Sequence, residues 1–186
     1  MTPTPIPPAL AAHLQAGGLL AYPTEGVWGL GCDPHNPEAL QRLIDLKGRD
    51  SAKGLILVAA SLAQIQPLLQ GLSAVQRARL EQDWPGFVTY LLPLPQPSPY
   101  PALLTGHHGR IAVRVSAHPV VQALCQQFGP LVSTSANPSG LAAAMSAEAV
   151  WDYFGDQVWI VPGALGGAER PSAIIDLASG EVIRAG

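Results

Sequence analysis

Apolar residues along this chain recur at two different spacings, and the switch between them marks out the elements. After Asn36, the apolar positions Leu40, Leu43, Ile44 and Leu46 form one face of a helix. Asn36 suits its cap, Pro37 its first position, Glu38 its first turn and Gly48 its stop. Arg110 to Val115 alternates instead. Ile111, Val113 and Val115 share one face, and Arg110, Ala112 and Arg114 the other, as a strand requires. The same reading predicts helices over Pro8–Gln15, from Ser61, from Ser73 to Trp84-Pro85-Gly86, over Ala117–Phe128 and over Ser146–Phe154. It predicts strands over Gly18–Tyr22, Gly54–Ala60, Phe87–Leu92 and Leu131–Ser133, and three short ones at the end, the last two joined at Ser179-Gly180. Pro23–Pro34, Pro93–Pro101 and Thr134–Gly140 read as loops. Helices and strands interleave throughout, so the expected class is α/β: a single domain with a mixed twisted sheet flanked by helices and an open concave ligand-binding face.

Composition narrows this picture. The 186 residues suit one domain, 1–186, with residues 1–7 expected to be a flexible N-terminal extension. The chain is 48% apolar and only 12% charged, enough to build its own core. A net charge of −3 and a pI of about 5.9 do not advertise nucleic-acid binding. Cys32 and Cys125 stand in no metal-binding spacing and read as buried, reduced thiols, which suits a cytoplasmic protein. The first eight residues carry neither a basic region nor an apolar run, so no signal peptide is expected, and no stretch approaches the ~20 apolar residues of a membrane span.

Candidate chemistry lies in three places. The only lysines, Lys47 and Lys53, lie within seven residues of each other with Arg49 between them. Cations at a helix C-terminus could simply answer the helix dipole at ~0.3–1 kcal/mol each, in which case folding would not depend on them. Converging on a polyphosphate is the alternative. The second place is the face of Arg110 and Arg114, which is either solvated or a floor for a carboxylate or phosphate. The third is Ser133-Thr-Ser-Ala-Asn137-Pro-Ser139-Gly140, which follows a strand as α/β ligand loops do. No phosphate-binding GxxxxGK[ST] loop and no GxGxxG fingerprint is present. The adjacent pair His107-His108 and the scattered acids suggest no metal site.

In order, Pro23-Thr24-Glu25, Lys47-Gly48-Arg49, Ala112-Val113-Arg114 and Ser135-Ala136-Asn137 resemble the signature of the YrdC/TsaC family, and the likeness spans the chain. Trp84-Pro85-Gly86 and His118-Pro119 add to it. The resemblance implies a threonylcarbamoyl-AMP synthase, a nucleotidyltransferase using ATP, L-threonine and bicarbonate/CO₂ to begin a tRNA modification. Its Mg²⁺ would be carried by the ATP phosphates. It also implies Lys47 and Arg49 as catalytic cations, and Lys47, Arg49, Lys53, Arg110, Ser135, Asn137 and Arg184 as the ATP side. Thr24, Arg114, Ser133 and Ser172 would form the threonine side. Downstream tRNA-modifying proteins would take the product, with tRNA itself touched only indirectly, and a monomer is expected. Longer members carry a histidine near threonine where this chain has Val58, and a second C-terminal domain, so the chain reads as the short form. The rival reading is a non-catalytic RNA-binding module of the same fold.

Overall fold

The structure, a computed structural model, describes residues 6–106 and 108–186. Residues 1–5 of the expected N-terminal extension, and His107 of the histidine pair, lie outside the described residues. Ile6 packs against the smaller core and Pro7 stands at the N-cap position of the first helix.

The helices are α1 (Pro8–Gln15), α2 (Pro37–Lys47), α3 (Gln66–Leu69), α4 (Ala74–Asp83), α5 (Ala102–Thr105), α6 (Pro119–Phe128) and α7 (Ala147–Phe154). The strands are β1 (Leu19–Pro23), β2 (Trp28–Gly31), β3 (Ile56–Ala59), β4 (Val88–Pro93), β5 (Arg110–Val115), β6 (Leu131–Ser135), β7 (Val158–Ile160), β8 (Ala173–Asp176) and β9 (Val182–Arg184). They form one mixed sheet in the order β7-β1-β2-β6-β3-β5-β4-β8-β9. β1/β7, β3/β5 and β4/β8 are parallel; the other neighbours are antiparallel.

The two-residue period of each strand feeds two cores, one on each face. Leu19 and Ala21 join the larger core while Leu20 and Tyr22 join the smaller. In β3, Leu57 and Ala59 point one way and Val58 the other. Helices α2, α4 and α7 supply the larger core, and α1 and α6 the smaller. The caps form as the residues dictate. Asn36 Oδ1 accepts from Ala39 N at 3.0 Å, Gly48 takes the left-handed conformation, and Ser73 and Gln76 make a reciprocal capping box.

Four elements depart from expectation. Pro23–Pro34 is not one loop, because it contains β2, a fully buried strand between β1 and β6. Its glycines make room for other groups. A Cβ on Gly31 would meet Val132 O at 2.2 Å and Tyr22 Oη at 3.0 Å, where Tyr22 reaches Val132 O in a 2.8 Å hydrogen bond. The helix expected from Ser61 is a 3₁₀ turn over Leu62–Ile65 followed by the single turn α3, and the Ser61 hydroxyl caps nothing. α5 is an unforeseen single turn, and β6 continues two residues further, to Ser135, than expected. Gly31→Ala is therefore expected to destabilise the fold by ~1–3 kcal/mol, the usual cost of overpacking, read as a lower urea midpoint.

Candidate active site

Helices α1 and α6 cover only part of the smaller-core face. Over β4, β5 and β8 that face is open, and a cavity of about 390 Å³ lies on it. Strand register builds the floor: Ser133, Ile56, Ala112 and Leu91 sit side by side across β6, β3, β5 and β4. All four line the cavity, with Arg110 and Arg114 to either side of Ala112 on β5. The alternation expected in β5 holds, since Ile111, Val113 and Val115 are fully buried in the opposite core.

Five of the chain's ten lysines and arginines line this cavity: Arg49, Lys53, Arg110, Arg114 and Arg184. Two have carboxylates beside them. Arg110 pairs with the buried Asp176, and Arg114 lies 3.5 Å from Glu25. The others have none at contact distance among the described residues. Arg49 donates to Gly54 O at 3.0 Å, but its buried Nε has no hydrogen-bond partner. Desolvation pushes the Arg49 guanidinium below its usual value. Arg184 is lowered too, by desolvation first and then by the charges of Arg114 and Arg49. Its guanidinium is anchored by two bonds to Ser172 O, at 2.8 and 3.3 Å. Cations held this close without enough counter-charge favour an anionic occupant.

The hydroxyls sit among them. Thr24, Ser133 and Ser172 are buried, as is Arg114 at 5% exposure, and all four line the cavity. Thr24 Oγ1 closes its own turn on Val27 O at 2.7 Å, and Ser172 shares a 2.9 Å bond with Thr89. Ser135 and Thr134 line the cavity at the end of β6.

Lys47 lies beside the cavity rather than in its lining. It is 3% exposed, it does not line the cavity, and it does not sit as a solvated charge at a helix end. Its ammonium donates to Ser135 O at 2.5 Å and to Asn137 O at 2.7 Å, with Asn137 Oδ1 at 3.5 Å. Lys47 O in turn accepts from Ser139 N at 2.7 Å. Burial, and then the charge of Arg49, push its pKa down to about 8. Asn137 likewise does not line the cavity, and its amide is committed to Pro138 O and Leu141 O. The end of α2 thus fastens the loop after β6, and the dipole account does not describe Lys47. Lys47→Met, which leaves Asn137 O without its donor and Ser135 O with Asn137 N alone at 3.0 Å, is expected to cost ~1–3 kcal/mol in a denaturation experiment.

Several contributors were not foreseen. Phe87 lines the cavity with its ring 5.4 Å from the Arg114 guanidinium carbon, and Glu25 grips the same arginine from the other motif. Glu25 was visible as the third residue of Pro-Thr-Glu. Gly29 lies opposite Ser135 across β2 and β6, and a Cβ there would crowd Ser133 Oγ and the Thr24 methyl, each at 3.3 Å. Val58, in contrast, is fully buried under α6 with Leu124 and Cys125 and lies outside the cavity lining. No group of three or more potential metal ligands occurs among the described residues.

Comparison with known proteins bears on this arrangement. The profile of the Sua5_yciO_yrdC family, described as "Telomere recombination", matches residues 12–186. The chain belongs to the Sua5/YciO/YrdC family. Within it, the threonylcarbamoyl-AMP synthase of Chromohalobacter salexigens is 56% identical over 174 residues, covering 93% of each chain. The threonylcarbamoyl-AMP synthase of Pseudomonas aeruginosa is 51% identical over 175 residues, covering 94% of each. The crystal structure of P. abyssi Sua5 complexed with L-threonine superposes with a TM-score of 0.86 at 30% identity, covering 95% of this chain and 52% of that one. E. coli YciO shares the fold, with a TM-score of 0.82 at 24% identity. In this member of the Sua5/YciO/YrdC family, the four short motifs come from separate strands and loops yet meet around one cavity and its supporting loop.

Proposed function

We propose that this chain is a threonylcarbamoyl-AMP synthase, a nucleotidyltransferase that joins L-threonine, bicarbonate or CO₂ and ATP and releases pyrophosphate. The observation that carries the reading is the cavity itself. Buried Arg114 and the hydroxyls of Thr24, Ser133 and Ser172 make one group in its lining, and the cations Arg49, Lys53, Arg110 and Arg184 make another. That division matches the two substrates. The amine of threonine takes up CO₂ and a carbamate forms. A carbamate oxygen attacks the α-phosphorus of ATP, an O–P bond forms, and the bond to the β-phosphate oxygen breaks with pyrophosphate as leaving group. The cations would offset the triphosphate and the charge gathering on pyrophosphate, while Arg114 holds the threonine carboxylate. Lys47 and Asn137 would act through the loop they fasten, and Ser135 would meet the nucleotide from its end of β6. No nucleophilic side chain is required, so the chemistry is positioning and electrostatics.

The cavity lining holds cations and hydroxyls but no carboxylate, a donor set unsuited to a resident divalent metal; Mg²⁺ would arrive on the ATP phosphates. The product would pass to tRNA-modifying proteins, with tRNA bound elsewhere. Half of the chain's cations are drawn into the cavity, which speaks against a phosphate-backbone stripe on the outer surface. One sheet runs through the described chain, in keeping with a single domain, and the chain would act as a monomer. No described helix is long and apolar enough to cross a membrane. The two thiols are buried and free, which fits work in the cytoplasm. The test is pyrophosphate release that requires both threonine and bicarbonate. Salt-sensitive RNA binding without turnover would favour the rival module instead.

A further inference from the structure

We infer that Glu25 is a positioning residue for threonine, acting through Arg114. The inference rests on the function proposed above and goes beyond it in assigning a role to a carboxylate that the substrates do not need to touch.

Arg114 is enclosed by unlike neighbours. The Phe87 ring lies 5.4 Å from its guanidinium carbon, and Glu25 Oε2 lies 3.5 Å from Nη2. No other polar partner of this guanidinium is found among the described residues, and its buried Nε has no hydrogen-bond partner. The contact with Glu25 is thus a charge contact, longer than a good hydrogen bond. It orients the guanidinium and offsets its charge without consuming the N–H groups that a carboxylate ligand needs.

Glu25 can do this because its other oxygen is fixed. Oε1 accepts from Ser116 Oγ at 2.7 Å and from Ala117 N at 3.2 Å, just beyond the end of β5. The backbone of the same turn is held as well, with Gly166 N on Thr24 O at 3.0 Å and Ala168 N on Glu25 O at 2.8 Å. One carboxylate therefore ties the Thr24-Glu25 turn to the strand that carries Arg114. Glu25 does not line the cavity, so direct contact with substrate is not its part. Without its charge, the guanidinium is free to rotate over Phe87 and to lean toward the nucleotide phosphates.

The test is calorimetric titration of L-threonine into wild type, Glu25→Gln, Arg114→Lys and the double variant, with ATP titrated separately. Glu25→Gln keeps an acceptor for Ser116 and loses the charge. Its threonine affinity is expected to fall about tenfold while ATP affinity changes less than about twofold. In the Arg114→Lys background the same change is expected to have little further effect, which a merely structural role would not produce. Ser116→Ala, which loosens the anchor and keeps the charge, is expected to shift threonine binding in the same direction by less. An unchanged threonine affinity in Glu25→Gln, equal losses for both substrates, or full additivity with Arg114→Lys would overturn the inference. If Glu25→Gln does not fold, Ser116→Ala decides by the same criteria. Wild-type protein that binds no threonine would overturn the function proposed above, and this inference with it.

Discussion

Arg49→Ala is expected to lower pyrophosphate release by about 10²-fold or more while the protein remains folded. That is the scale of loss when one preorganised donor is removed from a site where charge develops. Arg49 reaches the cavity from the turn after α2, and its one hydrogen bond goes to Gly54 O. Its buried Nε is left without a partner, and desolvation already depresses the guanidinium. These are the marks of a donor held ready for an anion. Since it makes a single backbone bond, its loss should cost the fold only about 1 kcal/mol. Steady-state rates and a denaturation curve on the same preparation check both halves. A folded, fully active Arg49→Ala would show that the cation serves the local turn and not the chemistry.

The second large effect is expected at Arg114. Arg114→Lys keeps the charge and loses the planar fork, so threonine binding should weaken by ~1–3 kcal/mol, the worth of a hydrogen bond to a charged group. ATP binding should change much less, because Arg114 sits with the buried hydroxyls of Thr24, Ser133 and Ser172. Separate titrations of the two substrates distinguish the cases. A defect confined to ATP would move Arg114 to the nucleotide side.

How far these sites could be read from sequence depends on the element. β5 was legible because its alternation is strict and its polar face carries two arginines with a small alanine between. α2 was legible because cap, stripe and stop agree. β2 was not. Two of its four residues are glycines, which read as loop, and the reason is tertiary: Tyr22 and the Val132 backbone occupy the space beside Gly31, and Ser133, Thr24 and Tyr22 the space beside Gly29. α5 is a single turn and leaves no period to detect.

The site divides the same way. Short motifs pointed to Thr24, Arg49, Arg114 and Ser135 of the cavity lining. Their convergence depends on the strand order β6-β3-β5-β4, which comes from non-local pairing and has no local signal. Lys47 marks the limit most clearly. Its position at the end of α2 suggested a charge that answers the helix dipole or meets a polyphosphate, but its stem runs inward and its ammonium donates to the carbonyls of Ser135 and Asn137. The Glu25–Arg114–Phe87 group was hidden for a related reason, since its members lie far apart in the chain and none is unusual alone.

The most direct measurement of the central claim is the fate of the bicarbonate carbon. With ATP, Mg²⁺, L-threonine and ¹³C-bicarbonate, the protein is expected to form an AMP adduct containing both threonine and the labelled carbon, with one pyrophosphate released per adduct. Omitting either threonine or bicarbonate should abolish both products. Pyrophosphate released equally without threonine, or an adenylated threonine lacking the labelled carbon, would contradict the account.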